Sequence, residues 1–237
     1  MGSSYNPAIV TDGLVLCLDA ANQRSYPKSG TTWSDLVGSN DGDMQNMTAS
    51  NFSSNNGGVL SFDGTNEHVT CGNLENLSDI SIQMNVRVLS NPGTYRAFCG
   101  ARKIGSLDHM SGFNIDMRGS STTAFNVCSF EGSMIGSSVD LMTSSVDFGV
   151  WCNVCITVSP SLITMYLNAV EESSVTRTNA HGSTIYMSEL EVGRRPYQGG
   201  THNFRINADF SNFSIYNRAL TADEVRQNYE ATVGRFS

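Results

Sequence analysis

Strict alternation over Ile80 to Val88 constrains this chain more than any other feature. Ile80, Ile82, Met84, Val86 and Val88 take one side, and Ser81, Gln83, Asn85 and Arg87 take the other. A period of two over nine residues predicts a β-strand with one buried face. Similar short runs recur: Leu14 to Asp19 with Leu14, Leu16 and Leu18 on one face, Val59 to Asp63, Glu67 to Cys71, Tyr95 to Ala101, Gly112 to Met117 and Thr123 to Phe130. Val150 to Val158, Leu162 to Leu167, Ile185 to Gly193 and Ala208 to Tyr216 continue the series. Gly, Ser, Asn and Pro separate them. Ten or more short strands joined by turns predict an antiparallel sandwich or jelly roll.

Composition supports this class against a helical one. Ser, Thr and Asn number 32, 18 and 22 in 237 residues, and charged residues are only 15%. A helical bundle would carry a surface of Glu, Lys and Ala. One helix is predicted, at the C-terminal end. Thr221-Ala-Asp-Glu224 has capping-box spacing, Leu220 and Val225 form the hydrophobic staple, Val225 and Tyr229 share a stripe, and Gly234 ends it. No repeat or linker divides the chain, so residues 1–237 are read as a single domain. Asn22 to Gly58 and Gly132 to Phe148 are read as excursions from it, and residues 132–148 as a Ser-rich flap whose order before assembly the composition leaves open.

The net charge of −8 argues against nucleic acid as main partner, because phosphate neutralisation needs clustered cations. Twelve of the fourteen basic residues are nonetheless Arg, the exceptions being Lys28 and Lys103. Such a bias can accompany packed protein contacts or reflect lineage alone. No apolar run approaches the length of a membrane span, and the first residues lack a basic and an apolar region, so cytosolic synthesis is expected. The six cysteines fall inside apolar runs and are expected reduced in the core. In Cys152-x-x-Cys155 a strand would point the two thiols to opposite faces, which disfavours metal or redox chemistry.

Several segments together resemble a known family. Gly13-Leu-Val-Leu-Cys-Leu-Asp-Ala-Ala-Asn22, Tyr26-Pro27, Gly30-Thr-Thr-Trp33-Ser-Asp-Leu36, Leu60-Ser-Phe-Asp-Gly-Thr-Asn66, Ile80 to Val86, Trp151 to Thr157 and Phe213 to Tyr229 resemble the laminin-G-like domains of the concanavalin A-like lectin/glucanase superfamily. The variant resembled is common in structural proteins of tailed bacteriophages, especially those of cyanobacteria. The resemblance implies an all-β jelly-roll sandwich of two antiparallel sheets with one short C-terminal helix. Two departures stand out. The hairpin after Tyr166 usually carries Asn-Gly, whereas this chain has Asn168-Ala169. Alanine resists positive φ, so another turn type is expected. Residues 105–145 match no block of the family.

Some relatives on this sandwich are glycosidases, which need two flanking carboxylates. Glu189-Leu-Glu191 has same-face spacing for a strand, but Gly193 and Arg194 stand where a further acid would follow. Rim carboxylates pairing with Arg194 or Arg195 are the favoured reading. No Gly-x-Ser-x-Gly elbow is present, the four His are scattered, and no glycine-rich phosphate loop opens a helix. The Asn-x-Ser/Thr sites at 46, 51, 76 and 212 are near chance. Many laminin-G-like domains hold calcium at the rim, and Asn40-Asp41-Gly42-Asp43 offers hard oxygens, making Asp41 and Asp43 candidate calcium ligands or members of an Asx turn. No other cofactor is expected. The loop Gly193 to Asn203 offers Tyr197, Gln198, His202 and Asn203 for sugar contact. Trp33 and Tyr26 offer a second platform, although packing is the favoured role of Trp33.

The resulting expectation is a virion structural protein of a tailed phage without enzymatic activity. It would decorate the capsid or belong to the tail or fibre, dock by shape-complementary contacts with other virion proteins, and form a homo-oligomer. The alternative is a lectin-like adhesin module for host surface glycans. Neither nucleic acid nor membrane is an expected partner, and the expected location is the virion after synthesis in the host cytoplasm.

Overall fold

In the computed structural model, residues 7–90, 96–103, 112–117, 125–128, 146–177, 184–196 and 204–236 are described, 125–128 by backbone alone. The strands are β1 (Leu14–Asp19), β2 (Thr32–Trp33), β3 (Gly42–Gln45), β4 (Phe52–Ser53), β5 (Val59–Asp63), β6 (His68–Thr70), β7 (Ile80–Ser90) and β8 (Arg96–Ala101). They continue as β9 (Phe113–Met117), β10 (Phe125–Cys128), β11 (Trp151–Val158), β12 (Leu162–Leu167), β13 (Val170–Thr176), β14 (Glu191–Val192) and β15 (Asn207–Tyr216), and helix α1 (Ala222–Val233) follows. They form two sheets. The eight-stranded sheet runs β13-β12-β11-β7-β15-β5-β4, with β1 also on β15, and the seven-stranded sheet runs β10-β9-β8-β14-β6-β3-β2. Every strand pair is antiparallel. The all-β two-sheet sandwich with a single C-terminal helix is the architecture read from the strand pattern.

One apolar core fills the space between the sheets. Ile80, Ile82, Met84, Val86 and Val88 are all fully buried there, as the alternation requires. Each such side chain contributes roughly 1.5–3 kcal/mol. Phe62 and Phe210 from one sheet and Phe98 from the other meet edge-on, with centroids 5.1 and 6.4 Å from Phe210. Trp33 and Tyr26 are buried in the same core, and Tyr26 packs on Phe52 at 5.3 Å. They are packing residues, so the second sugar platform is not formed.

The other face of the eight-stranded sheet differs from its sequence reading. Ser81, Gln83 and Asn85 alternate outward yet are buried, because α1 and the N-terminal segment lie over them. Leu14 also departs. A register shift between Leu14 and Leu16 leaves Leu16 and Leu18 in the main core and sends Leu14 to the small cluster under α1, with Val10, Cys155, Tyr166, Tyr216, Leu220 and Val225.

The five cysteines whose side chains are described are free and buried. Cys152 belongs to the main core and Cys155 to the outer cluster, the opposite faces expected of residues three apart on a strand. Burial pushes the Cys17 thiol up to about 11 and that of Cys152 up to about 12. Cys71, Cys99 and Cys155 are raised further by the same cause.

Helix α1 begins as its capping box predicts. Thr221 accepts from the Glu224 N–H at 3.3 Å, and Glu224 Oε2 accepts from the Thr221 N–H at 2.8 Å. Arg218 forks onto the same carboxylate at 2.9 and 2.6 Å. The buried stripe is Val225, Asn228 and Thr232, with Tyr229 only half-buried. Gly234 ends the helix in a right-handed conformation.

The β12–β13 turn corrects another expectation. Asn168 and Ala169 have φ of 51° and 64°, the two positive values of the turn that Asn-Gly would make. The twist of the hairpin sets the geometry, and Asn168 is held by its Oδ1 accepting from the Asn153 N–H at 2.9 Å and its N–H donating to the Asn153 carbonyl at 2.8 Å. Alanine is the strained member. Ala169→Gly is therefore expected to raise stability by about 1 kcal/mol, read as a higher denaturant midpoint at unchanged slope. A lower midpoint would mean that the lost methyl packing outweighs the relieved strain.

Candidate functional site

The central strand of the seven-stranded sheet, β14, is two residues long and lies between β8 and β6. The chain leaves it at Gly193, whose φ is +86°. Its N–H donates to the Phe98 carbonyl at 2.7 Å, and its carbonyl accepts from the Ile206 N–H at 3.0 Å. The Ala97 N–H donates to the Phe204 carbonyl at 2.8 Å. The excursion that starts at Arg194 is thus tied to the sheet where it departs and where it returns. Tyr197, Gln198, His202 and Asn203, the residues expected to contact sugar, lie outside the described residues.

The outer face of this sheet is polar where its inner face is apolar. Asn114 and Asp116 alternate with core residues Phe113, Ile115 and Met117. Cross-strand register puts Asn114, Gly100, Glu191, Thr70, Asp43 and Thr32 in one row. Gly100 is bare because its neighbours need the room. A Cβ there would stand 2.5 Å from Asn114 Oδ1 and 3.2 Å from the Arg195 Cβ.

Arginines gather over this row. Arg194 Nε and Nη2 reach Glu191 Oε2 and Oε1 at 2.6 Å each, a planar fork on a buried carboxylate. Arg195 Nη1 stands 3.5 Å from Asp116 Oδ2, and its guanidinium lies 3.6 Å from the Phe204 ring centroid. Burial lowers the pKa of Arg96. Burial also lowers that of Arg205, and the charges of Arg194 and Arg96 add to this while Glu191 opposes it. His68 on β6 is depressed by burial, then by Arg194 and Arg205, with its hydrogen bond to the Asn66 carbonyl and the charge of Glu191 acting the other way. Arg194 and Arg195 thus engage the two carboxylates Glu191 and Asp116, and the charge of Arg194 is felt at both Arg205 and His68. Guanidinium forks of this kind bind carboxylate, sulfate or phosphate oxygens in pairs.

The glycosidase-like pair is not assembled. Glu189 precedes β14 with φ +49°, so it does not share a strand face with Glu191. Its carboxylate pairs with Arg102 and its N–H donates to Asn73 Oδ1 at 3.0 Å. Glu191 pairs with Arg194 as expected, but from a buried place on the central strand and not from a rim.

Asp41 and Asp43 serve different partners. Asp41 Oδ1 accepts from the Asp35 N–H at 2.8 Å, and Asp43 Oδ2 accepts from Gln45 Nε2 at 2.6 Å. The acid that organises this turn is Asp35, which accepts from the N–H groups of Cys17, Val37, Gly38 and Asn40. Among the described residues no group of three or more His, Cys, Asp or Glu side chains is placed to hold a metal ion. Asn40 also lines a cleft of about 340 Å³ at the end of the sandwich, with Asn73, Glu75 and Asn217 around Val15, Leu74 and Leu77.

The fold is that of a laminin-G-like sandwich. The chain belongs to the concanavalin A-like lectin/glucanases superfamily, whose laminin G model matches residues 63–226. No curated protein matches the chain. Among solved structures it is similar to a mutant Trypanosoma rangeli sialidase displaying trans-sialidase activity, at 17% identity and a TM-score of 0.70, over 97% of this chain and 35% of that one. It is also similar to the binding domain of Paraclostridial Mosquitocidal Protein 1, at 18% identity and a TM-score of 0.66, over 92% of this chain and 52% of that one. The receptor binding domain of botulinum neurotoxin type G aligns at 14% identity and a TM-score of 0.61, over 93% of this chain and 51% of that one. The chain thus spans about a third of the sialidase and about half of each toxin chain, and identities this low convey the fold alone.

These neighbours overturn the expectation that the chain is not an enzyme. That expectation leaned on the missing catalytic constellation and on the resemblance to structural proteins, whereas the sandwich is shared with sialidases as well as with binding domains. The likeness to tailed-phage proteins is not shown by these matches.

Proposed function

We propose that this domain is a lectin-like module that binds acidic glycans on the outer face of its seven-stranded sheet. The observation that carries this reading is the gathering of Arg194, Arg195 and Arg205 beside Glu191 and Asp116 on one face of an acidic chain. A planar guanidinium pairs two of its N–H donors with the two oxygens of a carboxylate or sulfate, the groups that distinguish an acidic sugar from a neutral one. The superfamily includes lectins by name. A neighbour was solved in complex with sialic acid, a sugar that carries a carboxylate. Two other neighbours are named as binding domains.

On a glycan array the domain is expected to retain sialylated or sulfated glycans and to ignore their neutral counterparts. Binding should weaken as salt rises, because the contacts are partly exposed. Arg205→Ala and Arg194→Ala should each lower affinity about tenfold or more. Equal binding of neutral and acidic glycans, or affinity indifferent to both substitutions, would refute the proposal. The setting of such a module in a virion decoration, tail or fibre rests on the sequence resemblance and is tested by looking for the chain in purified particles.

A further inference from the structure

A second cleft, on the outer face of the opposite sheet, carries a different chemistry. It measures about 170 Å³ and is lined by Asn85, Trp151, Asn153, Asn168, Tyr229 and Phe236, with Val150, Cys152 and Val233 between them. Its floor is the end of a one-way chain of amides. The Val10 N–H donates to Asn228 Oδ1 at 2.7 Å, and Asn228 Nδ2 donates to Gln83 Oε1 at 2.8 Å. Gln83 Nε2 then donates to Asn153 Oδ1 at 2.9 Å, and Asn153 Nδ2 to Asn85 Oδ1 at 2.8 Å. Each amide has its orientation set by the one before it. The last, Asn85, is left presenting Nδ2. Asn85 is 2% exposed, and its Nδ2 has no acceptor among the described residues. A buried polar group in that state is rare in folded proteins, and a hydrogen-bonded relay polarises its terminal donor.

A second donor lines the same cleft. Trp151 Nε1 is buried without an acceptor among the described residues. Its ring is held by stacking on Phe236, at 4.5 Å and 26°, and by Arg87, 5.3 Å from the ring centroid. Arg87 is itself committed to Asp209 at 2.5 and 2.9 Å. No lining residue carries a formal charge, so an anion entering the cleft would lose its hydration without a free counter-ion.

We propose that this cleft binds the acetamido group of an N-acetylated sugar. The carbonyl oxygen has two lone pairs for the two waiting N–H donors. The methyl group packs on Val150, Val233 and Phe236. The volume suits one such substituent with part of its ring, not an oligosaccharide. The site lies on the sheet opposite the arginines and does not depend on the acidic-glycan reading.

The test is saturation-transfer NMR on the full chain with free N-acetylglucosamine, and with glucose as the analogue lacking the acetamido group. Transfer to the acetyl methyl protons is expected, with none to glucose. Trp151→Phe keeps the stack and removes a donor, and should weaken binding about tenfold at an unchanged melting temperature. Phe236→Ala removes the wall and should weaken it as well, which keeps the test open if Trp151→Phe does not fold. Arg205→Ala should leave the signal unchanged, which separates this site from the arginine face. Absence of transfer, equal transfer to glucose, or transfer undiminished in the folded variants would overturn the proposal, leaving a bound water as the partner of the two donors.

Discussion

Asn228→Ala is expected to destabilise the protein by about 3–5 kcal/mol, enough to lower the melting temperature by on the order of 10 °C. Asn228 sits on the buried face of α1 at 3% exposure. Its Oδ1 accepts from the Val10 N–H, and its Nδ2 donates to Gln83 Oε1 and, at 3.0 Å, to the Tyr216 hydroxyl oxygen. The helix, the N-terminal segment and two strands therefore meet at one amide. Truncation strands a backbone N–H and a glutamine oxygen where water has little access, and each carries the desolvation cost of an unmade bond. Arg226→Ala on the exposed side of the same helix removes an ion pair with Asp223 whose partners are 61% and 82% exposed. It should shift the transition by well under 1 kcal/mol. Thermal and denaturant melts of the two variants decide the matter. A loss below 1 kcal/mol for Asn228→Ala would mean that solvent reaches the network.

The same amides show where the sequence stops being legible. Inner-face residues announce themselves, because a period of two in Ile, Val and Met has one economical reading, and all five inward residues of β7 are buried as that reading demands. Gln83 and Asn85 alternate with them and look like solvent-facing positions. Their burial comes from α1, more than 130 residues away in sequence, and α1 itself buries Asn228 and Thr232 where an apolar stripe would have drawn attention to Tyr229. Polar packing against polar leaves no hydropathy signal. The register shift that diverts Leu14 and the positive φ of Ala169 are hidden for a related reason. Both are set by pairing with a neighbouring strand, and local propensity yields to it.

The arginine face was legible only as a composition bias. Twelve arginines to two lysines is visible in the sequence, but Arg194, Arg195 and Arg205 come together because β8 and β14 are neighbours in the sheet and the chain after β14 returns beside Ala97. Asp116, which faces Arg195, belongs to β9, a further strand. Conversely, the spacing of Glu189 and Glu191 looked like a shared strand face, and β14 proved too short to contain both. Sequence distance along a presumed strand is a weak guide where the strand is two residues long.

Gly193→Ala should strike fold and site together. Its φ of +86° costs an L-residue about 1–2 kcal/mol. A Cβ there would also stand 2.6 and 2.7 Å from two atoms of the Phe62 ring, in the middle of the core. Relief requires moving that ring or the turn, which adds about 1–3 kcal/mol. Gly149→Ala is the matched control. Its φ is +79°, but nothing lies within 4 Å of the added carbon, so only the backbone term applies. The difference between the two melts isolates the packing term. The turn that would have to move holds Arg194 on Glu191 and carries Arg195 toward Asp116. The affinity of Gly193→Ala for acidic glycans, measured well below its melting transition, should therefore fall while that of Gly149→Ala stays at the wild-type level. If the two variants melted together and bound alike, Phe62 would have yielded without disturbing the turn, and the arginines would not depend on Gly193 for their placement.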